Sequence, residues 1–355
     1  MKIKVKIKLV ILDADRDYRE RLADAFHKHY SDEIELYSFS DKEAALNTID
    51  STRVDLLLAN EAFDIDVDAI PKRCAFAYFT DSSNIYEFNE QRAIPKYLKT
   101  DLIFRQILDI CSEKTSIELD VPTGECAVIA FTSAGSGTGT SSEAAACALR
   151  FASRGQKVLY LNLEHFASTD LFFSGEGQYT MSDVILAMKK RKANLAVKLD
   201  NCVRKDPRGV YFFAAAKNVL DRLALTSEEI MELVTELKKH GGYDRIILDV
   251  EFALSKERLL LFRQAQALIL VGDGSDVSNL KTEQAYLALE ILDSDYKVSL
   301  IERIYFLYNR VSSQHGMSVN LNNLRTLGGS PRFSGGNASQ IVEMLARQDL
   351  FDKLV

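Results

Sequence analysis

The chain has 355 residues and a formal net charge of -7, a length that exceeds what one hydrophobic core usually serves, so we expect two domains. The acidic balance argues against nucleic acid as a partner, and no apolar stretch reaches the ~18 to 20 residues of a membrane span. The first residues lack the apolar region of a signal peptide, so we expect a cytoplasmic protein.

The first 112 residues alternate between short apolar strands and amphipathic helices. Predicted strands span 6–12, 34–39, 54–60, 76–80 and 97–99, and predicted helices span 18–30, 42–50 and 102–111. Short parallel strands with intervening helices indicate a doubly wound, flavodoxin-like α/β domain over residues 1–112. Turn residues gather after Ser112, so we place a linker at 113–123 and a second doubly wound domain at 124–355.

Polar residues stand where the strands of this first domain end. Asp13 and Ala14 follow the first strand, and Asn60, Thr80 and Lys99 end the third, fourth and fifth. With these residues the domain resembles a response-regulator receiver, which has an acidic pair, an acceptor Asp, a Ser or Thr and a Lys at these places. The resemblance implies a pseudo-receiver that acts by binding, because the amide of Asn60 cannot form an acyl phosphate.

A glycine-rich loop follows an apolar strand at 126–131 and precedes a helix formed by small residues. The loop reads Gly135-Ser136-Gly137-Thr138-Gly139-Thr140-Ser141-Ser142. Its glycines allow left-handed backbone conformations that turn successive N–H groups toward one point, where the helix dipole adds positive charge. The loop therefore predicts a phosphate site, and a serine hydroxyl at its end, assigned to Ser141, is placed to ligate Mg²⁺.

The loop lacks the lysine that such loops normally carry at the place of Thr140, and no lysine occurs between Lys114 and Lys157. One charge-assisted hydrogen bond contributes roughly 1.5 to 3 kcal/mol, whereas micromolar binding amounts to about 8 kcal/mol. Binding therefore survives the loss. Catalysis is more sensitive, because removing one well-placed donor lowers the rate on the order of 100- to 1000-fold. We expect nucleotide binding with slow turnover.

Two later strands deliver carboxylates to the edge of the sheet where the loop lies. The strand at 157–164 ends with Glu164, which is placed to orient a water or the metal. The strand at 243–249 ends with Asp249, as a Walker B element does, and such an aspartate contacts Mg²⁺. We assign Glu164 and Asp249 as the catalytic residues, with Asp249 also a metal ligand.

Two further strands, at 267–271 and 304–308, complete the predicted sheet. Asn309 and Arg310 follow the second of them. Ligands of open α/β sheets collect at the carboxyl ends of the strands, so Asn309 is placed to hydrogen-bond a base. We assign both residues to the cofactor site.

Residues 124–355 resemble the deviant-Walker ATPases of the MinD/ParA class, whose loop reads KGGxGK[ST]T. In that pattern Gly135 and Thr140 replace the two lysines, and Ser141 and Ser142 stand for the hydroxyl residues. The resemblance implies ATP and Mg²⁺ as cofactors. In this class the first lysine reaches the phosphates of a partner subunit, so Gly135 argues against an ATP-driven dimer with stimulated hydrolysis.

A receiver-like domain joined to a degenerate MinD/ParA-type domain is the architecture of the TadZ/CpaE family, which nearly the whole chain resembles. The resemblance implies a homodimeric, ATP-binding factor that positions the Tad (Flp, type IVb) pilus secretion machinery at a cell pole. It also implies contacts with other Tad components, an indirect association with the membrane, and at most slow ATPase activity.

Two other functions stay open. Gly135-Ser136-Gly137 opens a dinucleotide-binding fingerprint in which Glu164 would serve a ribose, but Thr140 stands where the third glycine belongs. The second is a signalling regulator of the MinD/ParA class that acts on DNA or another polar machine, although the chain has no recognisable helix-turn-helix and no basic surplus.

Overall fold

The computed structural model describes residues 6–83, 85–114, 125–190, 195–297, 299–311, 319, 321 and 323–354. The chain divides into two compact units, and both are layered α/β folds, as predicted. Unit 1 comprises Met1–Val121 with Lys192–Asn201, and unit 2 comprises Pro122–Arg191 with Cys202–Val355. The sequence-based boundaries place 192–201 in the second domain, whereas the structure groups them with unit 1. The predicted linker lies outside the described residues from residue 115 onward.

Unit 1 is built on a six-stranded sheet. Its strands are β1 (Ile7–Leu12), β2 (Ile34–Phe39), β3 (Leu56–Asn60), β4 (Ala75–Thr80), β5 (Glu87–Phe88) and β6 (Gln91–Pro95). Its helices are α1 (Arg16–Tyr30), α2 (Lys42–Ser51) and α3 (Thr100–Lys114), with a short 3-10 helix at Val67–Ala69. The strand order is β2-β1-β3-β4-β6-β5, and the strands run parallel except for β5, which is antiparallel to β6 at the edge.

Both faces of this sheet are covered, which explains why the central strands β3 and β4 are buried along their whole length. Successive side chains of a strand point to opposite faces. Leu9 and Ile11 of β1 therefore pack into the core cluster formed with α1 and α3, while Val10 and Leu12 pack into the second cluster, formed with α2.

The fifth parallel strand lies at Gln91–Pro95, so the strand predicted at 97–99 is wrong. Residues 97–99 form the turn that precedes α3. Pro95 pairs with Thr80 at the end of the strand, and the N–H of Lys96 then donates to the Thr80 carbonyl at 2.9 Å. The sequence pattern concealed this strand because it begins with polar residues and ends with a proline, a residue confined to strand ends and edges.

Unit 2 contains an eight-stranded sheet. Its strands are β7 (Ala127–Thr132), β8 (Val158–Asn162), β9 (Arg204–Lys205), β10 (Tyr211–Phe212), β11 (Arg245–Asp249), β12 (Ala267–Gly272), β13 (Ile304–Val311) and β14 (Arg325–Pro331). The order is β14-β13-β12-β7-β11-β8-β10-β9; among these described strands only the edge strand β9 is antiparallel to its neighbour.

The helices of the second half of the chain are interspersed with these strands in sequence, and α7 among them packs in unit 1. They are α4 (Thr140–Ser153), α5 (Thr169–Phe172), α6 (Met181–Lys189), α7 (Leu195–Cys202), α8 (Ser227–His240), α9 (Lys256–Arg263), α10 (Asp276–Tyr296) and α11 (Ala338–Ala346). Short 3-10 helices lie at Val219–Ala224, Ile301–Arg303 and Leu350–Leu354. None of the described helices combines the length and hydrophobicity needed to cross a bilayer.

Strand β7 lies near the middle of this sheet, between β11 and β12. Helix α4 packs against β7, β8 and β11, because its run of small residues, Ala144 to Ala148, is fully buried and lets the helix approach the strands closely. This arrangement places the N-terminus of α4 at the carboxyl edge of the sheet, next to the ends of β8 and β11.

Candidate functional site

The glycine-rich loop joins β7 to the N-terminus of α4. Gly137 and Gly139 have φ angles of +73° and +85°, in the left-handed region that glycine adopts without strain. Gly139 is the N-cap of α4, and within the described chain no side chain makes a capping hydrogen bond there. Since a helix leaves its first N–H groups without intrahelical partners, this terminus is able to bind an anion.

The loop carries hydroxyl side chains and no ammonium group. The Thr140 hydroxyl, at the position of the absent lysine, hydrogen-bonds the Thr138 hydroxyl at 3.0 Å. Ser136 is exposed at the tip, Ser142 is half-buried in the first turn of α4, and the Gly135 N–H donates to Ser133 Oγ at 3.1 Å. The loop is therefore polar but carries no charge of its own.

Four polar side chains meet beside the loop. Strand register pairs Asp249 with Asn162, which brings the ends of β11 and β8 side by side. Glu164 Oε2 accepts hydrogen bonds from Ser141 Oγ and from Asn162 Nδ2, each at 3.1 Å. Asn162 Nδ2 also donates to Asp249 Oδ2 at 2.8 Å. The structure thus brings Ser141, Glu164 and Asp249 together, as the sequence analysis expected of a site at this edge.

Asp249 is fully buried, and its two carboxylate oxygens have different surroundings. Its Oδ2 also accepts from the Tyr160 hydroxyl at 2.6 Å, whereas Oδ1 has no hydrogen-bond partner among the described residues. Burial and the nearby Glu164 carboxylate raise the pKa of Asp249 to about 7. Thr132 Oγ1, at the end of β7, is a second buried oxygen without a described partner.

These residues fit a divalent cation bound together with phosphates. Buried polar atoms in folded proteins nearly always have partners, and oxygens that lack one suit a cation. Mg²⁺ is usually held by one or two protein oxygens together with phosphate oxygens and water. Ser141 Oγ and Asp249 Oδ1 would provide the protein oxygens, and the N-terminus of α4 would bind the phosphates.

Asn309 and Arg310 reach the loop through its backbone. Asn309 Nδ2 donates to the Thr138 carbonyl at 2.7 Å, and Arg310 Nη1 donates to the Gly137 carbonyl at 2.9 Å. A Cβ added to Gly139 would lie 2.1 Å from Asn309 Nδ2, so the amide packs directly on the loop. Both residues brace the loop, a role that the sequence analysis did not foresee, and the contact of Asn309 with a base stays a prediction.

Two supporting residues were missed from the sequence. Tyr160 precedes Asn162 by two positions and therefore shares its face of β8, a spacing that would have revealed it. Arg222 is buried and donates through Nη2 to the Leu163 carbonyl at 2.8 Å, which holds the end of β8. No sequence signal indicates this contact, because Arg222 lies in a separate 3-10 helix.

Unit 1 has a polar cluster of its own, at the ends of β1, β3, β4 and β6. Lys96 Nζ lies 2.8 Å from Asp13 Oδ2 and 3.0 Å from Asp81 Oδ1, and Asn60 Nδ2 donates to Asp81 at 3.4 Å. Although burial lowers the pKa of Lys96, its hydrogen bonds to both carboxylates raise it overall. Lys96 therefore stands where a receiver has its lysine, and the assignment of Lys99 to that place is wrong, because Lys99 is exposed in the following turn.

Residues 5–112 match the family model described as the TadZ-like receiver domain. The ParA family ATPase from Chlorobium tepidum TLS is 17% identical, with a TM-score of 0.51 over 64% of this chain and 95% of that chain. MinD from Pyrococcus furiosus is 18% identical, with a TM-score of 0.46 over 64% of this chain and 99% of that chain. MinD from Pyrococcus horikoshii, complexed with Mg-ADP, is 20% identical, with a TM-score of 0.49 over 64% and 97%. The first of these likenesses shows a ParA-type fold. A search of curated proteins gives no match.

Proposed function

Because this chain carries a TadZ-like receiver domain at residues 5–112 and a second domain with a ParA-type fold, we propose that it serves the Tad (Flp, type IVb) pilus secretion machinery. It acts there as an ATP-binding assembly and localisation factor in the cytoplasm, at a cell pole. It works as a homo-oligomeric scaffold that contacts other Tad components and hydrolyses ATP slowly or not at all.

One observation carries the nucleotide-binding part of this proposal: carboxylate, amide and hydroxyl groups cluster beside a glycine-rich loop that lacks lysine. Backbone N–H groups at the start of α4 bind the phosphates, and Ser141 with Asp249 holds Mg²⁺. Asn309 and Arg310 keep the loop in its binding shape through the Thr138 and Gly137 carbonyls. Binding uses preformed backbone groups, so it tolerates the loss of lysine.

Hydrolysis has weaker support from the same geometry. Glu164 is placed to orient an attacking water, but no charged side chain of the loop stabilises negative charge on the phosphates. Each such missing donor lowers the rate on the order of 100- to 1000-fold. A bound, slowly hydrolysed ATP suits a factor that holds one assembled state.

Exposed apolar side chains near Glu164 support a homodimer. Phe166 is 79% exposed and Leu223 is 63% exposed. Phe166 and Val219 line the same pocket as Glu164, and Leu223 belongs to the 3-10 helix that contains Val219. Apolar side chains grouped on one face of a protein commonly mark an interface.

Calorimetry with Mg-ATP tests the nucleotide site, using the two glycines that flank α4, Gly139 and Gly155, as a matched pair. Gly139→Ala introduces a Cβ that meets Asn309 Nδ2 at 2.1 Å, so we expect it to abolish binding. Gly155→Ala adds the same methyl at a similar φ of +83° with nothing within 4 Å, and we expect it to bind normally. An equal loss of Mg-ATP affinity in both variants would contradict the proposed site, and so would the absence of Mg-ATP binding by the unaltered chain.

The cellular role is tested in the host of this protein. Deleting the gene should abolish Tad pili, and the Gly155→Ala variant should restore them while Gly139→Ala should not. Normal pili in the deletion strain would refute the assignment to the Tad machinery and leave the nucleotide site untouched.

A further inference from the structure

Helix α10 (Asp276–Tyr296) has a buried inner face and, opposite it, an exposed hydrophobic outer face. Its inner face carries buried residues that pack on the sheet: Ser278, Asn279, Thr282, Ala285, Tyr286 and Leu289. Its outer face carries hydrophobic residues that are 49% to 64% exposed: Val277, Leu280, Leu287 and Ile291. A helix on the outside of an α/β sheet normally presents polar residues to water, so this second face is unusual.

The exposed residues follow a regular spacing. Positions 277, 280, 284, 287 and 291 alternate in steps of three and four, which is the a/d pattern of a coiled-coil seam, and only Gln284 among them is polar. We call these residues the α10 stripe; it runs about 21 Å along the helix at the standard rise per residue. Single exposed hydrophobic residues are normal on a surface, but a continuous row in register indicates a binding face.

The charges beside the stripe are mainly acidic. One flank carries Asp276, Glu283 and Glu290, which are seven residues apart and therefore stand in the g positions of the heptad. The other flank carries Lys281 and Asp295 in the e positions, with Ala288 between them. Flanking charges of this kind select the partner and the orientation of a paired helix.

These charges argue against a second copy of the same helix as the occupant. An antiparallel pair places the acidic g flank of one helix against the same flank of the other. A parallel pair brings Asp276 to Lys281 but also places Glu290 opposite Asp295. Like charges at such positions are destabilising, and the same acidic flank repels an anionic membrane surface.

We propose that the α10 stripe binds an amphipathic helix of a partner protein, with an apolar seam at heptad spacing and lysine or arginine on its flanks. The apolar seam of the partner covers the stripe, and its basic flanks pair with the acidic flank of α10. This interaction goes beyond the proposed nucleotide function and does not depend on it.

Fluorescence anisotropy with two designed 21-residue peptides tests the proposal on the full chain. Both peptides carry Leu and Ile in the seam; one has lysine on its flanks and the other has glutamate. We expect the lysine peptide to bind at least tenfold more tightly, and its affinity to fall with added salt. Leu280→Ser with Leu287→Ser should weaken it at least about tenfold, since each buried leucine contributes more than one tenfold step.

The controls separate this surface from other hydrophobic and acidic sites. Leu186→Ser removes a leucine that is 51% exposed on α6, and it should leave peptide binding unchanged. Glu290→Lys keeps the stripe intact and should weaken the lysine peptide while reducing its salt dependence. If the double serine variant fails to fold, Glu290→Lys still tests the proposal.

Several results would overturn the proposal. The proposal fails if the lysine peptide does not bind or if both peptides bind equally well. It also fails if the double serine variant and Glu290→Lys bind the lysine peptide as tightly as the unaltered chain does. Self-association of the chain that the double serine variant abolishes would make a second copy the occupant. Binding to vesicles with anionic lipid that the same variant abolishes would make the membrane the occupant.

Discussion

At the scale of single residues, two opposing effects act on the ionisation of the Asp249 carboxyl. It is buried beside Glu164, which favours its protonated form, whereas a bound cation favours its ionised form. Its pKa of about 7 in the folded chain exceeds the ordinary value of 3.8. The unfolded chain therefore loses this proton first as the pH rises, and between about pH 4 and pH 7 ionisation progressively destabilises the folded, nucleotide-free state.

We accordingly expect the nucleotide-free protein to become more stable as the pH is lowered from 7 to 5, by up to about 1.4 kcal/mol per pH unit for each such group. Burial also raises the pKa of Glu143 to about 7, so two carboxyls act in this window. Asp249→Asn should remove part of the dependence, measured by urea unfolding at each pH. Mg-ATP binding should weaken at pH 6, because the cation displaces the proton. A flat stability profile would contradict the assignment.

Restoring the absent lysine tests the role of charge in the loop. Thr140→Lys should tighten Mg-ATP binding at least about tenfold, because one charge-assisted hydrogen bond contributes roughly 1.5 to 3 kcal/mol. Thr140→Met has a similar length without the charge and serves as the control. Equal affinities of the lysine and methionine variants, measured by calorimetry, would show that the loop does not direct this side chain at the phosphates.

At the scale of elements, the ends of β1 and β6 are joined by a buried ion pair. Lys96→Met leaves the buried Asp13 carboxylate without its cation and should destabilise unit 1 by about 3 to 5 kcal/mol. Lys99→Met alters an exposed lysine in the next turn and should cost less than about 1 kcal/mol. Thermal unfolding of both variants compares the two positions directly. Similar losses of stability in the two variants would contradict the placement of Lys96 in the buried ion pair.

The elements also differ in how far sequence patterns could predict them. The strand β7, the loop and α4 were predictable, because glycine spacing and apolar runs are local signals. The sequence could not assign helix α7 to unit 1, because contacts with residues far away in the chain hold it there. Val197 is buried in the core of that unit, and Lys198 pairs with Asp109 of α3.

At the scale of the whole molecule, the apolar residues beside Glu164 should set the oligomeric state. We expect the full chain to be a dimer by light scattering, and Phe166→Ser with Leu223→Ser to shift it toward the monomer. Each substitution removes a side chain whose burial is worth about 1.5 to 3 kcal/mol. Leu186→Ser should leave the mass unchanged. A monomeric chain, or a dimer insensitive to the pair, would place the interface elsewhere.

The sequence by itself determined the two α/β domains, the position of the glycine-rich loop and the carboxylates at or just after the ends of β8 and β11. These features follow from spacing within one strand or one loop, and the geometry of parallel sheets then brings strand ends together. Only the tertiary structure decided that Lys96, rather than Lys99, pairs with Asp13. The same holds for the contact of Tyr160 with Asp249 and for the hydrogen bond by which Asn309 braces the glycine-rich loop. Those contacts join residues far apart in the chain, and packing selects among many side chains that the local pattern treats as equivalent.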